Sequence, residues 1–308
     1  MEWILDIRHP ALNPLFLGLS FLGDTAFFLA FAAVGYWLLH RRIFTSFAFV
    51  LMPTVLASAA AKALFREPRP DPALWLTHAE GWGFPSGHAT VAAVVWPWLA
   101  IELRRYAAEK TDGPGGALPR LAAAAPWLAV ALAFGVATSR VYLGVHGVRD
   151  VVAGLAFGGV ILLLALRAAP ALEAVLGSLG PVGLTLRVAT VVGLVLSVLP
   201  PDDPVAAVAG GALVGFCFGH ALERRRLGFV EPRGGPRPWL AAVLGLAGAF
   251  ALRFGAKAPL LAILPSPAVA DFARYALIGL WIGAAAPWLF VKLGWADAGR
   301  GTEAPEAA

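Results

Sequence analysis

Long uninterrupted apolar runs constrain this 308-residue chain more than any other feature. In lipid a backbone must satisfy its own hydrogen bonds, so an apolar run of roughly 17–25 residues reads as a spanning helix. Nine such runs are predicted, over Asp24–His40, Ile43–Phe65, His88–Arg105, Leu121–Arg140, Val145–Leu166, Val182–Leu199, Pro204–Leu222, Trp239–Gly255 and Asp271–Leu293. Composition agrees: 14% of the residues are charged, against roughly 25% in a soluble domain, and mean hydropathy is +0.75. The expected fold class is all-α, a polytopic membrane helical bundle.

Before the first run, residues 11–22 read as a short interfacial helix, with Gly23-Asp24-Thr25 ending it and capping the next. The alternative is one longer, tilted span. Glu2 and Asp6 precede the first apolar run where a cleaved signal would carry basic residues. Cys217 is the single cysteine, which excludes an intrachain disulfide and a cysteine zinc site.

The net charge of +5 falls in short clusters between apolar runs, as topology signals do, so no nucleic-acid partner is expected. Nine spans place the termini on opposite sides. Arg41-Arg42, Arg104-Arg105 and Arg224-Arg225-Arg226 then share one face, while Lys62, Arg69, Arg140, Arg253, Lys257 and Arg274 share the other. The positive-inside rule puts the C-terminus in the cytoplasm, in a membrane of the bacterial plasma-membrane type. Residues 106–120 hold a flexible Thr111-Asp112-Gly113-Pro114-Gly115-Gly116 loop, and residues 296–308 read as a disordered cytoplasmic tail.

Three polar stretches sit at or near the ends of the runs, where ionisable groups persist mainly for function. They are Lys62 with Arg69-Pro70, then Pro85-Ser86-Gly87-His88, then Ser139-Arg140 with His146 and Asp150. His146 and Asp150 are four apart, so a helix stacks them on one face. A carboxylate there can fix the imidazole tautomer and leave the other nitrogen free to attack. Alone, the pair reads equally as polar residues at a helix start. Ser86 is a good N-cap, Gly87 lets backbone approach an anion, and a helix start favours phosphate. His88 would protonate the leaving oxygen; its bland counterpart is an interfacial histidine.

Lys62, Arg69 and Arg140 would neutralise phosphate oxygens, with Arg140 in a forked contact. Arg140 also reads as a snorkelling arginine. Ser139 can bond phosphate, cap a carbonyl or pack between helices. Arg66 reads as a surface charge paired with Glu67, and Asp24 as an N-cap in preference to a partner for a site cation. Together these groups form a phosphoryl-transfer site with no metal ligand set and no cofactor. His146 attacks phosphorus, Asp150 orients it, and His88 serves as acid and then base.

Lys62-x6-Arg69-Pro70, Pro85-Ser86-Gly87-His88 and Ser139-Arg140-x5-His146-x3-Asp150 resemble the three signatures of the type 2 phosphatidic acid phosphatase (PAP2) superfamily, relatives of vanadium haloperoxidases. All three match in order and spacing, over about residues 10–167. The resemblance implies a helical-bundle core, a metal-independent phosphomonoesterase or pyrophosphatase, and the histidine roles above. Arg69-Pro70-Asp71-Pro72, Val141-Tyr142-Leu143-Gly144 and His146-Gly147-Val148-Arg149-Asp150 are also similar to the sphingoid-base-phosphate phosphatase branch.

The expected organisation is a catalytic membrane core over 1–167, further transmembrane helices over 168–295, and the tail. The added helices would serve stability, homodimerisation or lipid access. The expected substrate is a lipid phosphate or diphosphate (phosphatidate, a sphingoid phosphate or an isoprenyl diphosphate) met on the extracytoplasmic face. The rivals are a glucose-6-phosphatase-like hydrolase, a lipid phosphotransferase and an anion transporter. The loop Asp71–Phe84, with Trp75, His78, Glu80 and Trp82, should border the entrance.

Overall fold

The computed structural model describes residues 3–110, 116–178, 180–201 and 203–299. Its helices run α1 Ile4–Ile7, α2 Asn13–Phe21, α3 Thr25–Val34, α4 Arg41–Phe65, α5 Gly87–Glu109, α6 Ala117–Tyr142, α7 Val148–Ser178, α8 Pro181–Ser197, α9 Pro204–Arg226, α10 Arg237–Gly255, α11 Lys257–Ile263, α12 Pro267–Leu280 and α13 Ala286–Lys292. Strands are confined, among the described residues, to β1 Phe229–Val230 and β2 Asp297–Ala298, paired antiparallel. The all-α expectation holds, and the chain is an integral membrane protein.

Six helical segments are long and apolar enough to cross a bilayer: Arg41–Phe65, Ala117–Tyr142, Val148–Ala171, Pro204–Arg226, Arg237–Gly255 and Pro267–Lys292. A seventh span results if the pair Pro10–Phe21 and Thr25–Leu39, bent by 56°, is counted as one. All nine predicted runs are helical, and seven of them meet this measure of length and apolarity when the bent pair is counted. The other two segments are helical, but α8 has 17 residues, and α5 carries Glu102, Arg104 and Arg105 in its second half. The Gly23-Asp24-Thr25 step is the break itself, with Phe28 N bonded to Asp24 O at 3.0 Å. Pro53, Pro97 and Pro126 lie inside α4, α5 and α6.

The chain divides into two compact units, Met1–Leu29 with Pro53–Ala169, and Ala30–Met52 with Pro170–Ala308. Residues 30–52 group with the later helices in this division.

In the first unit α5, α6 and α7 meet around Ala89, Ala137 and Val151, with Val141 and Leu155 packed against them. Small residues let the backbones approach, as expected for helices that gain little from burial in lipid. A β-carbon at Gly154 of α7 would stand 2.6 Å from the Ser86 carbonyl oxygen at the head of α5. A second cluster of Tyr142, Leu143 and Val145 takes Phe16, Trp75 and Ala79 against it. Phe16 stacks on Tyr142 with centroids 3.9 Å apart. The N-terminal helix is thereby fixed to the turn that follows α6.

In the second unit α9 and α12 pack backbone to backbone. β-Carbons at Gly211 and Gly215 would collide with the main chain at Phe272 and Ala276, and one at Gly219 would sit 3.2 Å from that of Leu280. The four-residue step on both helices is one helical ridge meeting another, and the glycines let the two backbones approach closely. Buried Glu223 pairs with Arg41 and accepts from Phe229 N at 2.6 Å. β2 includes residues expected to be a disordered tail; the rest of that tail, 300–308, and residues 111–115 of the predicted loop lie outside the described residues.

Candidate active site

The first unit holds all three polar stretches. α4 ends at Phe65, beyond which Pro68 and Pro70 cannot continue a helix. Lys62, in its last turn, donates Nζ to the Trp82 carbonyl. Arg69 is laced into the next loop: Nη2 donates to Glu80 O at 2.7 Å, Nε to Gly81 O at 3.0 Å, and Nη1 to Val145 O at 3.1 Å. The same Nη1 stands 2.9 Å from His146 Nε2.

That last contact fixes the histidine chemistry. A guanidinium has donors only, so Nε2 accepts and the proton of the neutral ring sits on Nδ1. Nδ1 lies 3.7 Å from Asp150 Oδ2, beyond hydrogen-bond length but within a short shift of it. Asp150 Oδ2 meanwhile accepts from Gly147 N at 2.8 Å. The lone pair on Nε2 is therefore on the side of the cations, and the carboxylate backs the ring.

Burial holds the His146 imidazole well below the usual histidine range; the adjacent Asp150 carboxylate opposes this, and the charges of Arg69, Lys62 and Arg140 add to it. The ring is 1% exposed, so it is neutral near pH 7 and competent as a nucleophile. Arg69 is lowered by burial too, with Asp150 opposing.

Ser86 caps α5 with extended backbone, and its N–H bonds Asp150 O at 2.9 Å, tying the second stretch to the third. Gly87 lies against Lys62: a β-carbon there would be 3.6 Å from Lys62 Cε. His88 follows in the first turn, and the charges of Arg69 and Arg140 act on both imidazoles. Arg140, 5% exposed, donates Nη1 to Ser20 Oγ. Among the described residues, Ser86 Oγ, Arg140 Nε and His146 Nδ1 are buried with no protein hydrogen-bond partner. Unsatisfied buried groups are costly; His146 Nδ1 faces the Asp150 carboxylate, and the other two, Ser86 Oγ and Arg140 Nε, suit a ligand rich in oxygen atoms.

Several assignments differ from expectation. Asp24 starts α3 through its backbone, but its carboxylate oxygen Oδ1 lies 3.0 Å from His88 Nε2. Glu67 pairs with Arg149 instead of Arg66, and Arg66 Nε donates to Ala63 O at 2.9 Å at the end of its own helix. Ser139 Oγ donates to Val136 O at 2.6 Å. Three residues that sequence reasoning did not place in the site support it: Ser20, Asp24, and Arg8, which donates to the Tyr142 and Leu74 carbonyls. The available signal was the helix break at Gly23, where a β-carbon would lie 2.5 Å from the His88 ring.

Beside Arg69 opens a cavity of about 410 Å³ lined by Pro68, Pro70, Pro72, Trp75, Ala79 and Trp82. It is the Asp71–Phe84 loop expected at the entrance. Trp75 Nε1 donates to Pro70 O at 3.0 Å, which leaves its ring as wall.

Comparison with known proteins adds the lineage. The PAP2 superfamily model matches residues 43–173, and the model described as PAP2 superfamily phosphatase, transmembrane extension, matches 207–298. Phosphatidylglycerophosphatase B of Bacillus subtilis (strain 168) is 31% identical over 159 residues, 49% of this chain and 72% of the relative. Lipid phosphate phosphatase delta of Arabidopsis thaliana is 30% identical over 168 residues, 52% of this chain and 39% of the relative. Among solved structures, the transmembrane PAP2 type phosphatidylglycerolphosphate phosphatase from Bacillus subtilis aligns with TM-score 0.47 and 28% identity, covering 55% of this chain and 82% of its own. By the family model over its three polar stretches and by a relative matched along most of its length, the chain belongs to the PAP2 superfamily and is a membrane phosphatase of the PAP2 type.

Proposed function

We propose that the protein hydrolyses a lipid phosphate, a monoester or a diphosphate, through a phosphohistidine formed on His146. The observation that carries this reading is the 2.9 Å contact from Arg69 Nη1 to His146 Nε2, which aims the attacking lone pair at a phosphate-binding cation. A bound phosphate oxygen would replace His146 as the acceptor of that guanidinium N–H. Lys62, Arg69 and Arg140 then hold the equatorial oxygens, aided by Ser86 Oγ and the N–H groups at Gly87.

Nε2 attacks phosphorus and the bond from phosphorus to the alkoxide oxygen breaks. His88 delivers a proton to that oxygen, and the lipid alcohol leaves. His88 next takes a proton from water, the hydroxide attacks phosphorus, and the P–N bond breaks to return His146 and inorganic phosphate. Throughout, Asp150 stabilises the proton on Nδ1. These steps use this chain's own side chains and require neither metal nor cofactor.

The lipid assignment is supported by the site's position at the ends of apolar helices and by the tryptophan- and proline-walled cavity beside Arg69. We further assign the site to the extracytoplasmic face and the C-terminus to the cytoplasm, on the distribution of arginines between spans. The test is a phosphate-release panel in detergent with excess chelator: phosphatidate, phosphatidylglycerol phosphate, sphingoid phosphate, isoprenyl diphosphate and glucose 6-phosphate. Turnover of one or more lipids well above glucose 6-phosphate is expected. Preference for the sugar phosphate, or activity lost to chelator and restored by a divalent metal, would refute the reading.

A further inference from the structure

The second unit contains a cationic pocket that the phosphatase chemistry does not use. A cavity of about 230 Å³ is lined by Arg253, Phe254, Lys257, Arg274 and Tyr275, at the junction of α10, α11 and α12. None of these residues belongs to the site in the first unit. We propose that this pocket binds a phosphate oxyanion carried by an anionic membrane lipid, a phosphodiester headgroup such as that of phosphatidylglycerol.

Charge balance is the first reason. Three cations converge on the cavity, and the carboxylate bonded there is Asp271, whose Oδ1 is taken by Arg274 Nη2. Both guanidinium groups also lie over one ring: Arg253 is 5.9 Å and Arg274 5.2 Å from the Tyr275 centroid. The ring lessens the repulsion between them and leaves it uncancelled. An anion between them would cancel it with charge-assisted bonds.

The donor geometry is the second reason. Arg274, 9% exposed, gives Nη1 to the Arg253 carbonyl at 2.9 Å, which satisfies the end of α10. Capping explains that nitrogen, but Arg274 Nε is buried without a protein partner. Arg253 Nη1 donates to Tyr275 Oη at 2.6 Å, so the phenol proton is free to point onward as a further donor. Donors with no matching acceptors are what an oxyanion completes.

Surroundings favour a lipid as the carrier. The cavity is large enough for a phosphate with a small polar substituent and too small for acyl chains. Phe254, 71% exposed, lines its edge and offers apolar surface that acyl chains would cover. In the sequence-derived topology, moreover, Arg253, Lys257 and Arg274 fall on the face that the positive-inside rule depletes of basic residues.

The experiment uses the full chain in neutral detergent, carrying Arg69→Ala so that the phosphatase site does not compete for headgroups. Phosphatidylglycerol, which has no phosphomonoester to hydrolyse, is titrated against phosphatidylcholine, and retained lipid is counted by native mass spectrometry. Phosphatidylglycerol is expected to bind in preference to phosphatidylcholine. Lys257→Gln and Arg253→Gln should each weaken it about tenfold, the loss of one charge-assisted contact. Lys257 is exposed, so its variant does not endanger folding as Arg274→Gln would. Inorganic phosphate that displaces the lipid shows that the pocket reads the oxyanion itself; no displacement at high phosphate shows that it requires the lipid-borne form. Equal retention of both lipids, or unchanged phosphatidylglycerol binding in Lys257→Gln and Arg253→Gln alike, overturns the proposal. Phosphatase activity does not enter either readout.

Discussion

Asp24 and His88, 64 residues apart, meet with a carboxylate oxygen 3.0 Å from Nε2. The bend between α2 and α3 brings Asp24 there, and the absence of a side chain at Gly23 makes room for the ring. A carboxylate so placed holds the imidazole that is proposed to serve the leaving group. Asp24→Asn should therefore lower kcat on a lipid phosphate by roughly 10²-fold, within the range of general acid catalysis. The loss should be much smaller on p-nitrophenyl phosphate, whose leaving group needs no proton. Equal losses on both substrates would show that Asp24 has a structural role only.

The order of steps predicts a trapped intermediate. His146→Ala should abolish turnover, and Asp150→Asn should reduce it by roughly 10³–10⁴-fold, as for the orienting carboxylate of a triad. In His88→Ala, an activated phosphate ester should still load His146, while hydrolysis of the enzyme stalls for lack of a base. Rapid quench with labelled substrate should find acid-labile, alkali-stable phosphate on the protein. Its absence from both wild type and His88→Ala argues for direct attack by water.

Burial of His146 also sets a pH dependence. The folded state holds this imidazole neutral, below the unfolded value of about 6.5. As pH falls through 6.5 the unfolded chain takes up a proton that the folded chain refuses, so stability falls toward acid pH. Nucleophile competence persists over that window, because Nε2 keeps its lone pair. The histidine ¹⁵N resonance that disappears in His146→Gln should stay in its neutral position below pH 6. A midpoint at or above 6.5 would contradict the neutral, buried ring.

Two neighbouring arginines should behave differently. Arg69 reaches His146 and three backbone carbonyls, whereas Arg66 bonds the end of its own helix. Arg69→Ala should cost roughly 10²–10³-fold in kcat/KM, as for other preorganised charge-stabilising donors. Arg66→Ala should stay within about twofold, since surface changes rarely exceed ~0.5 kcal/mol. Steady-state kinetics on one lipid substrate decides between them.

Packing in the second unit gives a stability test. A β-carbon at Gly215 would collide with the Ala276 backbone. Gly215→Ala should destabilise by ~1–3 kcal/mol through overpacking. A lowered thermal midpoint in detergent, with an unchanged or raised midpoint for the control Gly159→Ala, whose β-carbon would meet no atom within 4 Å, is the expected result. No shift at Gly215 would mean that the two helices separate freely.

Helix existence was legible because apolar runs of spanning length have few alternatives in lipid. The number of spans was less so: Pro181–Ser197 and Gly87–Glu109 read as spans by pattern, but one is short and the other charged near its end. The three polar stretches were legible from their own spacing, and the structure gathers them in one unit. Asp24 was weighed as a helix cap because a sequence shows the residue next to a helix start, and not the histidine that a 56° bend brings to it. Glu67 was paired with its sequence neighbour for the same reason, although Arg149 reaches it across the fold. Sequence proximity finds caps and i,i+4 pairs; contacts made by a bend or a loop require the packed chain.

The single backbone bond from Ser86 to the Asp150 carbonyl has a further consequence. It yokes the heads of two helices whose first turns hold His88, the proposed acid, and Asp150, the proposed orienting carboxylate. A one-residue insertion at either head would rotate its side chains by about 100° and break the yoke, disabling both halves of the reaction together. At the opposite end of α5, lengthening the connection to α6 leaves this bond untouched. Natural and engineered variation in chain length should therefore accumulate around residues 110–116 and be shunned at 85–88 and 147–150.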